Sequence, residues 1–348
     1  MVSGLDKVLE IHAKVIEEGY TRPIGQEFDR YAVTNLRGGV GKSSLAFNLA
    51  FNISRKNSLL VADVCPQCNF TEILFGGGQT KPKVTISSAL QPMILGPAFG
   101  EAVEDISYRV SKYCDEFTGG KACFGIVGNP ELFAFPSSLY GQLNLAHAAQ
   151  NAAAVRNLLH GLKTILEKEA KIKECKKVLV DTSPFYAGGT HLAWCAVDAL
   201  IIPVRVDEHS LESLELTLQM LNDPGRDFQL WNERAGGLQA PKVAAIVMTM
   251  VGSKSQVKAT PDQASRMYIE RAIAIAEKYP NVFGLDDPSD AFVLTDDFHS
   301  AGRISGAKRI PISELKVGSF HRVENRRLQV NESTIRYQKQ LKYLASMI

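Results

Sequence analysis

Three glycines, a lysine and two serines stand close together early in the chain, in the order Gly38-Gly39-Val40-Gly41-Lys42-Ser43-Ser44. Closely spaced glycines let backbone N–H groups converge on an anion, and the N-terminus of a following helix adds a favourable dipole. In a loop of this kind the lysine reaches the β- and γ-phosphates of a nucleotide, and the serine hydroxyl binds Mg²⁺. The segment therefore predicts a phosphate-binding loop in which residues 38–44 bind the nucleotide, Lys42 is catalytic and Ser43 is a metal ligand, rather than a plain glycine-rich turn.

The residue before this loop is Arg37. Arg37 and the loop resemble the ParA/MinD family of P-loop ATPases, whose loop reads Lys-Gly-Gly-x-Gly-Lys-Ser/Thr. The resemblance implies that Arg37 takes the place of the family's first lysine, which contacts nucleotide phosphates across a homodimer formed with ATP. Arginine keeps the charge but differs in length and shape, so the replacement is not neutral. A solvated loop arginine is the alternative interpretation.

Further segments resemble the same family over most of the chain. Residues 60–69 are similar to its second motif, Asp-x-Asp-Pro-Gln-Gly-Asn, and residues 132–138 to its central strand with a Pro-Ser turn. Residues 178–184 resemble its Walker B strand, and residues 198–212 the strand and helix that follow. The resemblance implies that Asp181 holds the Mg²⁺ shell and that Asp63 lies near the metal and the attacking water. Helix caps or turn formers are the alternatives for both aspartates.

Cys65 departs from the family pattern, because it stands where the second aspartate of the motif is expected. That aspartate is associated with orienting the attacking water, and a thiol is a weak hydrogen-bond acceptor. We therefore predict nucleotide binding with slow hydrolysis. Cys65 and Cys68 also form a Cys-x-x-Cys pair, with Cys114 and Cys123 downstream, so a four-thiolate metal site or a redox pair is conceivable beside unreactive thiols.

Two related interpretations of the loop are disfavoured. GTPases of this kind carry an Asn/Thr-Lys-x-Asp motif for guanine, and the sequence lacks one, so ATP is the expected nucleotide. The nitrogenase iron-protein branch needs a cysteine shortly after the Walker B strand, and residues 181–189 contain none.

Strand-like and helical runs alternate around these motifs. Strands are predicted at 31–35, 59–63, 132–135, 178–181, 199–204 and 243–248, and helices at 3–18, 43–53, 151–171, 189–197, 211–221, 263–278 and 330–346. The alternation predicts an α/β fold with a doubly wound, mostly parallel sheet flanked by helices, as in P-loop NTPases of the SIMIBI type. We expect an amphipathic helical extension in residues 1–30 and an ATPase domain in 31–348. The domain would contain an irregular insertion near 76–130 and a basic helical segment at 303–348.

The composition is that of an ordinary folded protein. With 45% hydrophobic and 22% charged residues in 348, the chain is neither disordered nor fibrous. The acidic first twenty residues do not form a secretory signal, no run is apolar enough to span a membrane, and six cysteines without an export signal indicate reduced thiols. A cytoplasmic location is therefore expected, with nucleoid association if the protein binds DNA.

The net charge of +2 conceals a basic end. Ten basic and three acidic residues lie between positions 303 and 342, a local charge of +7. Such a patch is typical of non-specific contacts to the nucleic-acid backbone, and a merely solvated basic face is the alternative. The residues proposed to contact DNA are Arg303, Lys308, Arg309, Arg322, Arg326 and Arg327. A MinD-like membrane helix, with Ile335, Leu341, Leu344 and Ile348 on one face, is less favoured.

Two functions follow from these observations. The first is a ParA-like ATPase that dimerises around ATP, binds DNA non-specifically and positions a plasmid, chromosome or other cargo through a ParB-like or cargo-adaptor protein that stimulates hydrolysis. The second is a hydrolysis-weakened, nucleotide-dependent switch or scaffold, which Arg37 and Cys65 would allow. A membrane partner is not expected beyond the tail-helix alternative.

Overall fold

The computed structural model describes residues 3–23, 25–26, 28–78, 82–100, 103–253 and 260–348. The rest of the predicted N-terminal extension (residues 1, 2, 24 and 27) and of the predicted insertion (79–81 and 101–102) lies outside the described residues.

A central sheet organises the described chain. Its strands follow the order β3-β4-β2-β5-β1-β6-β7-β8, and all pairs are parallel except β3 with β4. The strands are β1 (Arg30–Val33), β2 (Leu59–Asp63), β3 (Tyr108–Arg109), β4 (Cys123–Ile126), β5 (Lys177–Asp181), β6 (Ala199–Arg205), β7 (Lys242–Val251) and β8 (Phe292–Asp296). The predicted α/β class with a mostly parallel, doubly wound sheet is confirmed.

Helices cover both faces of this sheet. They are α1 (Gly4–Glu18), α2 (Lys42–Ser54), α3 (Asn69–Phe75), α4 (Ile86–Leu95), α5 (Phe135–Ala148), α6 (Ala152–Leu159), α7 (Gly161–Ile172), α8 (Gly189–Ala196), α9 (Glu208–Asn222), α10 (Asp227–Arg234), α11 (Gln263–Glu277), α12 (His299–Lys308) and α13 (Thr334–Ser346). Alternate residues of each strand enter two different apolar clusters: Leu60 and Ala62 pack on one face, Leu59 and Val61 on the other. The clusters hold α5–α11 on the first face and α2, α3 and α13 on the second.

The strand predicted at residues 132–135 is wrong. Residues Pro130–Phe133 form a 3₁₀ turn, which the Asn129 side chain caps by accepting the N–H of Glu131, and α5 begins at Phe135. Pro136 does not end a strand but occupies the first turn of a helix, where a missing N–H costs nothing. The strand beside β2 is β4, which begins at Cys123 within the predicted irregular insertion.

The single helix predicted at residues 151–171 is also wrong, because it is divided into α6 and α7. His160 caps the end of α6 and Gly161 begins α7. Glycine is a poor helix former, and a Cβ at Gly161 would stand at ordinary contact distance, 3.6 and 3.9 Å, from the Ile94 and Leu90 side chains of α4. The break therefore lets two short helices pack separately.

The C-terminal segment contains more than the predicted helix. A two-stranded antiparallel ribbon, β9 (Phe320–Val323) and β10 (Arg326–Gln329), precedes α13. On α13 itself, Leu341 and Leu344 are fully buried and Ile348 nearly so, while Ile335 remains half exposed. The face that the membrane alternative required is therefore packed against the second apolar cluster, and the alternative is wrong for this helix. No helix among the described residues is long and apolar enough to cross a membrane.

Candidate functional site

The glycine-rich loop joins β1 to α2 in the conformation that anion binding requires. Gly39 and Gly41 have φ values of +75° and +87°, in the left-handed region that favours glycine. A Cβ at either position would meet no atom within 4 Å, so backbone conformation rather than space selects glycine there. α2 begins at Lys42, directly after Gly41. The loop N–H groups and the helix N-terminus thus belong to one concave turn.

Lys42 lies inside this turn rather than in solvent. Its Nζ donates to the carbonyl oxygens of Asn35 at 3.1 Å and Arg37 at 2.7 Å. Burial lowers the pKa of Lys42 to about 8, although the nearby Asp181 acts in the opposite direction. The ammonium group is therefore poorly solvated, which favours an anionic ligand at the loop.

Asp181 and Ser43 meet at the ends of β5 and the loop. The Ser43 hydroxyl donates to Asp181 Oδ2 at 2.6 Å, and the other oxygen, Oδ1, is buried with no hydrogen-bond partner among the described residues. Burial and the neighbouring Asp63 raise the pKa of Asp181 well above its usual value. An unpartnered carboxylate oxygen beside a serine hydroxyl is the donor set that Mg²⁺ prefers. These two residues fit the predicted metal site.

Asp63, unlike Asp181, has both of its carboxylate oxygens engaged in hydrogen bonds with residues that follow β2. Its Oδ1 accepts the N–H of Cys65 at 3.0 Å, and its Oδ2 accepts the N–H and hydroxyl of Thr71 at 2.8 and 2.7 Å. Asp63 is 1% exposed. It therefore fixes the turn between β2 and α3 and does not line the cavity described below; its catalytic and metal-binding roles stay predictions.

A cavity of about 570 Å³ opens in front of the loop. The loop residues from Gly38 to Ser44, except Val40, line one end, and Cys65, Gln67 and Asn69 line the wall that follows β2. Val40 is buried behind the loop. Thr182 and Pro184 after β5 complete this end. The motif residues after β2 and β5 are thus brought together around one space.

A second group of cavity-lining residues was not anticipated from the sequence. They are Ile73, Gly76 and Gly77 near the end of α3, and Gly306, Ala307 and Arg309 at the end of α12. No local pattern distinguishes these residues, because they are more than 200 positions apart and meet only through the fold. A cavity of this size with a phosphate-binding loop at one end can hold a nucleotide.

Arg37 points away from the cavity. Its guanidinium forms an ion pair with Asp207 and donates to the Ser210 hydroxyl at 3.0 Å, both at the start of α9. Asn35 supports this arrangement, since its Oδ1 accepts the Arg37 N–H and the Ser213 hydroxyl, each at 2.8 Å. Sequence reasoning missed Asn35 and Asp207, although Asp207 and Ser210 have the spacing of a helix N-cap. Arg37 is thus tethered to α9 in this conformation.

The six basic residues proposed for DNA contact do not share one environment. Arg309 donates to the carbonyl oxygens of Ile73 and Leu74 at 2.9 Å and to that of Tyr113. Its donors are therefore directed into the protein. The other five are exposed, on α12 or on the ribbon, and they are Arg303, Lys308, Arg322, Arg326 and Arg327.

The cysteines are free thiols and mostly buried. Burial raises the pKa of Cys65, and that of Cys114 to about 11. Among the residues that the structure describes, no group of three or more His, Cys, Asp or Glu side chains could hold a metal ion. Cys65 is distinguished by its place on the cavity wall and not by thiolate character.

Comparison with known proteins agrees with this geometry. The family model of an AAA domain, AAA_31, matches residues 30–226, more than half of the chain. No curated protein sequence matches the chain.

Several solved structures share the fold. McdA from Cyanothece in complex with ATP has 18% identity and a TM-score of 0.58, over 83% of this chain and 91% of that one. A protein from Corynebacterium diphtheriae has 15% identity and a TM-score of 0.58, over 81% and 97%. A proposed plasmid partition protein from Borrelia burgdorferi, bound to AMPPNP, has 16% identity and a TM-score of 0.54, over 92% and 99%. At these identities the likeness concerns the fold.

Proposed function

The chain belongs to the ParA/MinD family of P-loop ATPases, and from this premise we propose that it binds ATP with Mg²⁺ and closes into a homodimer around the nucleotide. In the dimeric state it binds DNA non-specifically and positions a plasmid, chromosome or other cargo in the cytoplasm, on the nucleoid. A ParB-like or cargo-adaptor protein stimulates its hydrolysis.

One observation carries this proposal: Ser43, which lines the cavity together with the phosphate-binding loop, contacts the buried Asp181. The 2.6 Å hydrogen bond brings a serine hydroxyl and a buried carboxylate together, and Asp181 Oδ1 has no partner among the described residues. When bound, Mg²⁺ would neutralise charge that develops on the phosphates. Lys42, Ser43 and the loop N–H groups would orient those phosphates, and Asp181 would hold the metal shell.

The proposed dimer rests on Arg37. Its guanidinium is a charged fork suited to phosphate, and it lies beside the loop without lining the cavity of its own chain. In the dimer, the Arg37 guanidinium would leave Asp207 and contact a phosphate of the nucleotide bound by the facing subunit. The nucleotide site would therefore be complete only in the dimer.

The test measures oligomeric state and turnover together. By light scattering we expect a dimer with ATP and Mg²⁺ and a monomer with ADP, and ATP hydrolysis that is slow and rises when DNA is added. Lys42→Ala should abolish nucleotide binding, whereas Lys56→Ala, an exposed lysine at the end of the same helix, should behave as the wild type. A chain that stays monomeric with bound ATP, or that binds DNA equally in ATP and ADP, would contradict the proposal.

A second candidate is a nucleotide-dependent switch or scaffold that barely hydrolyses ATP. The observation that favours it is the Cys65 thiol on the cavity wall, combined with an Asp63 carboxylate engaged by Cys65 and Thr71. The carboxylate is engaged in hydrogen bonds and the thiol is a weak acceptor, so neither group is suited to polarise a water molecule. ATP-dependent dimerisation without measurable turnover, even with DNA, would select this candidate over the first.

A further inference from the structure

The β9–β10 ribbon presents a face that the rest of the protein does not cover. Arg322 pairs with Arg327 and Phe320 with Gln329 across the two strands, so these four side chains share one face. All four residues are exposed, and Phe320 retains 49% of its accessible surface. The Arg327 guanidinium lies 4.0 Å above the Phe320 ring. We call these four residues the outward face of the ribbon.

The opposite face anchors the ribbon. Val323 and Leu328 pack against the second apolar cluster, and the Ser300 hydroxyl of α12 donates to the Gln329 carbonyl oxygen at 3.0 Å. Packing of the opposite face against the second apolar cluster therefore fixes the direction in which the outward face points.

The outward face contains an unfavourable pair. Arg322 and Arg327 stand directly opposite each other, and like charges at such positions destabilise a two-stranded ribbon. Neither side chain forms an ion pair with any residue in the described parts of the chain. A polyanion lying on this face would remove the repulsion. The free protein thus maintains a local conflict that a negatively charged partner would relieve.

Other basic residues of the C-terminal segment are engaged inside the protein. Arg309 donates to three backbone carbonyls, Arg336 pairs with Asp296, and Lys339 donates to the Ile16 carbonyl oxygen. Seven basic residues of the segment are exposed; five of them lie on the ribbon or on the adjoining α12, and Lys316 and Lys342 lie elsewhere.

We propose that the outward face of the β9–β10 ribbon is the surface that contacts the phosphate backbone of duplex DNA. The inference rests on the proposed DNA binding and names the element responsible for it. The two arginines offer forked donors that match phosphate oxygens, and a two-stranded ribbon is narrow enough to follow a groove of the duplex. One face of the Phe320 ring is covered by Arg327, so the ring is poorly placed to stack on the bases of a single strand.

The experiment measures binding of the full chain, with ATP and Mg²⁺, to a labelled mixed-sequence duplex and to a single strand of the same length. We compare the double variant R322A/R327A with K171A/K176A, which removes the same charge from exposed positions on and after α7. The ribbon variant should weaken duplex binding at least ~10-fold. It should also reduce the slope of log affinity against log salt concentration by the equivalent of about two phosphate contacts. The control should bind as the wild type does. R322K/R327K, which keeps both charges, should retain most of the affinity.

Light scattering and thermal unfolding verify that each variant still folds and dimerises with ATP. Equal weakening by the ribbon and control variants, an unchanged affinity of R322A/R327A, or preference for the single strand would each overturn the assignment of the ribbon while leaving DNA binding intact. Absence of DNA binding by the wild-type dimer would instead overturn the proposed function, and the inference with it.

Discussion

Cys65 is the residue on which the proposed slow hydrolysis of ATP depends. It follows β2 and lines the cavity, while the carboxylate two positions earlier, Asp63, is engaged in hydrogen bonds that hold the turn. A thiol accepts a water proton poorly, and burial raises the pKa of this one further from neutrality. The other residues of the proposed phosphate site contact one another or the loop. The Ser43 hydroxyl donates to Asp181, and Lys42 Nζ donates to the Arg37 carbonyl oxygen. This arrangement supports the proposal that the site binds ATP and hydrolyses it slowly.

The Cys65→Asp variant should hydrolyse ATP faster. A carboxylate at this position would accept a proton from the attacking water, a contribution of ~10²-fold or more in favourable geometry, and we expect at least ~10-fold in steady-state phosphate release. Cys65→Ser is the matched control, since a hydroxyl of similar size supplies no carboxylate and should leave turnover slow. If Cys65→Asp binds ATP normally and hydrolyses it at the wild-type rate, the explanation of slow turnover is wrong.

Arg37 is expected to matter for assembly rather than for stability. Its ion pair with Asp207 is partly exposed, with 30% and 28% of the two side chains accessible, and pairs of this kind contribute less than ~1 kcal/mol. Arg37→Ala should therefore change the free energy of unfolding very little but abolish the ATP-dependent dimer seen by light scattering. Arg37→Lys, which restores the residue typical of the family, should preserve the dimer. A dimer that forms normally with Arg37→Ala would show that the guanidinium does not bridge the subunits.

Helix α12 joins the cavity to the C-terminal surface. Gly306 and Ala307 near its end line the cavity, while Ser300 near its start holds β10. A Cβ added at Gly306 would meet no atom within 4 Å, so a side chain there would extend into open space at the cavity.

Gly306→Phe should block the cavity without unfolding the protein. A glycine inside a helix is less favourable than most residues by up to ~1 kcal/mol, so the substitution should not reduce helix stability. We expect ATP affinity to fall at least ~10-fold, as measured by calorimetric titration. Gly141→Phe on α5, also helical and also free of neighbours within 4 Å, is the matched control and should bind ATP normally. Normal binding by Gly306→Phe would place the nucleotide elsewhere in the cavity.

Helix α13 depends on one buried ionic contact. Asp296 at the end of β8 accepts two hydrogen bonds from Arg336, at 3.0 and 2.7 Å, and one from Gln340 at 3.0 Å. Asp296→Ala would remove the carboxylate that pairs with the largely buried Arg336 guanidinium, and we expect a loss of about 3 kcal/mol in the free energy of unfolding. Lys342→Ala, at an exposed position of the same helix, should change it by less than ~0.5 kcal/mol. Urea unfolding compares the two, and equal effects would contradict the anchoring role of Asp296.

Local patterns were sufficient for some elements and not for others. Residues 59–62 are apolar on both faces and are bounded by Ser58 and Asp63, and the strand was predicted with the bounds that it has. Pro136 misled because proline suits both the residue after a strand and the first turn of a helix. The helical pattern of residues 151–171 continues through Gly161, so the division there was missed, and the α12 wall of the cavity is formed by residues far away in sequence. Sequence reasoning thus located the chemistry of the loop but not the distant surfaces that enclose it.

At the scale of the whole molecule, the excess positive charge and a fully buried histidine lie on opposite faces of the sheet. The excess positive charge lies in the last 46 residues, and the structure directs part of it inward and part onto the ribbon. On the opposite face of the sheet, α8 carries a histidine into an aromatic cluster with Tyr140, Tyr186, Trp194 and Phe228. His191 is fully buried, and its Nδ1 lies 3.0 Å from the Tyr140 hydroxyl.

This histidine should make the stability of the whole fold depend on pH. Burial lowers the pKa of His191 to about 3, against about 6.5 in the unfolded chain. As pH falls through 6.5 the unfolded state takes up a proton that the native state refuses, so native stability decreases; the loss stops only near pH 3. Between about pH 7.5 and 5.5 the expected loss from this residue is about 1.4 kcal/mol. Asp227, whose pKa burial raises, contacts the same cluster through Tyr186. In urea unfolding, the free energy of unfolding of His191→Gln should fall less between about pH 7.5 and 5.5 than that of the wild type, by about 1.4 kcal/mol. His209→Gln, which replaces an exposed histidine on α9, should show the wild-type decrease. If the two variants show the same pH dependence, His191 is not the residue that titrates.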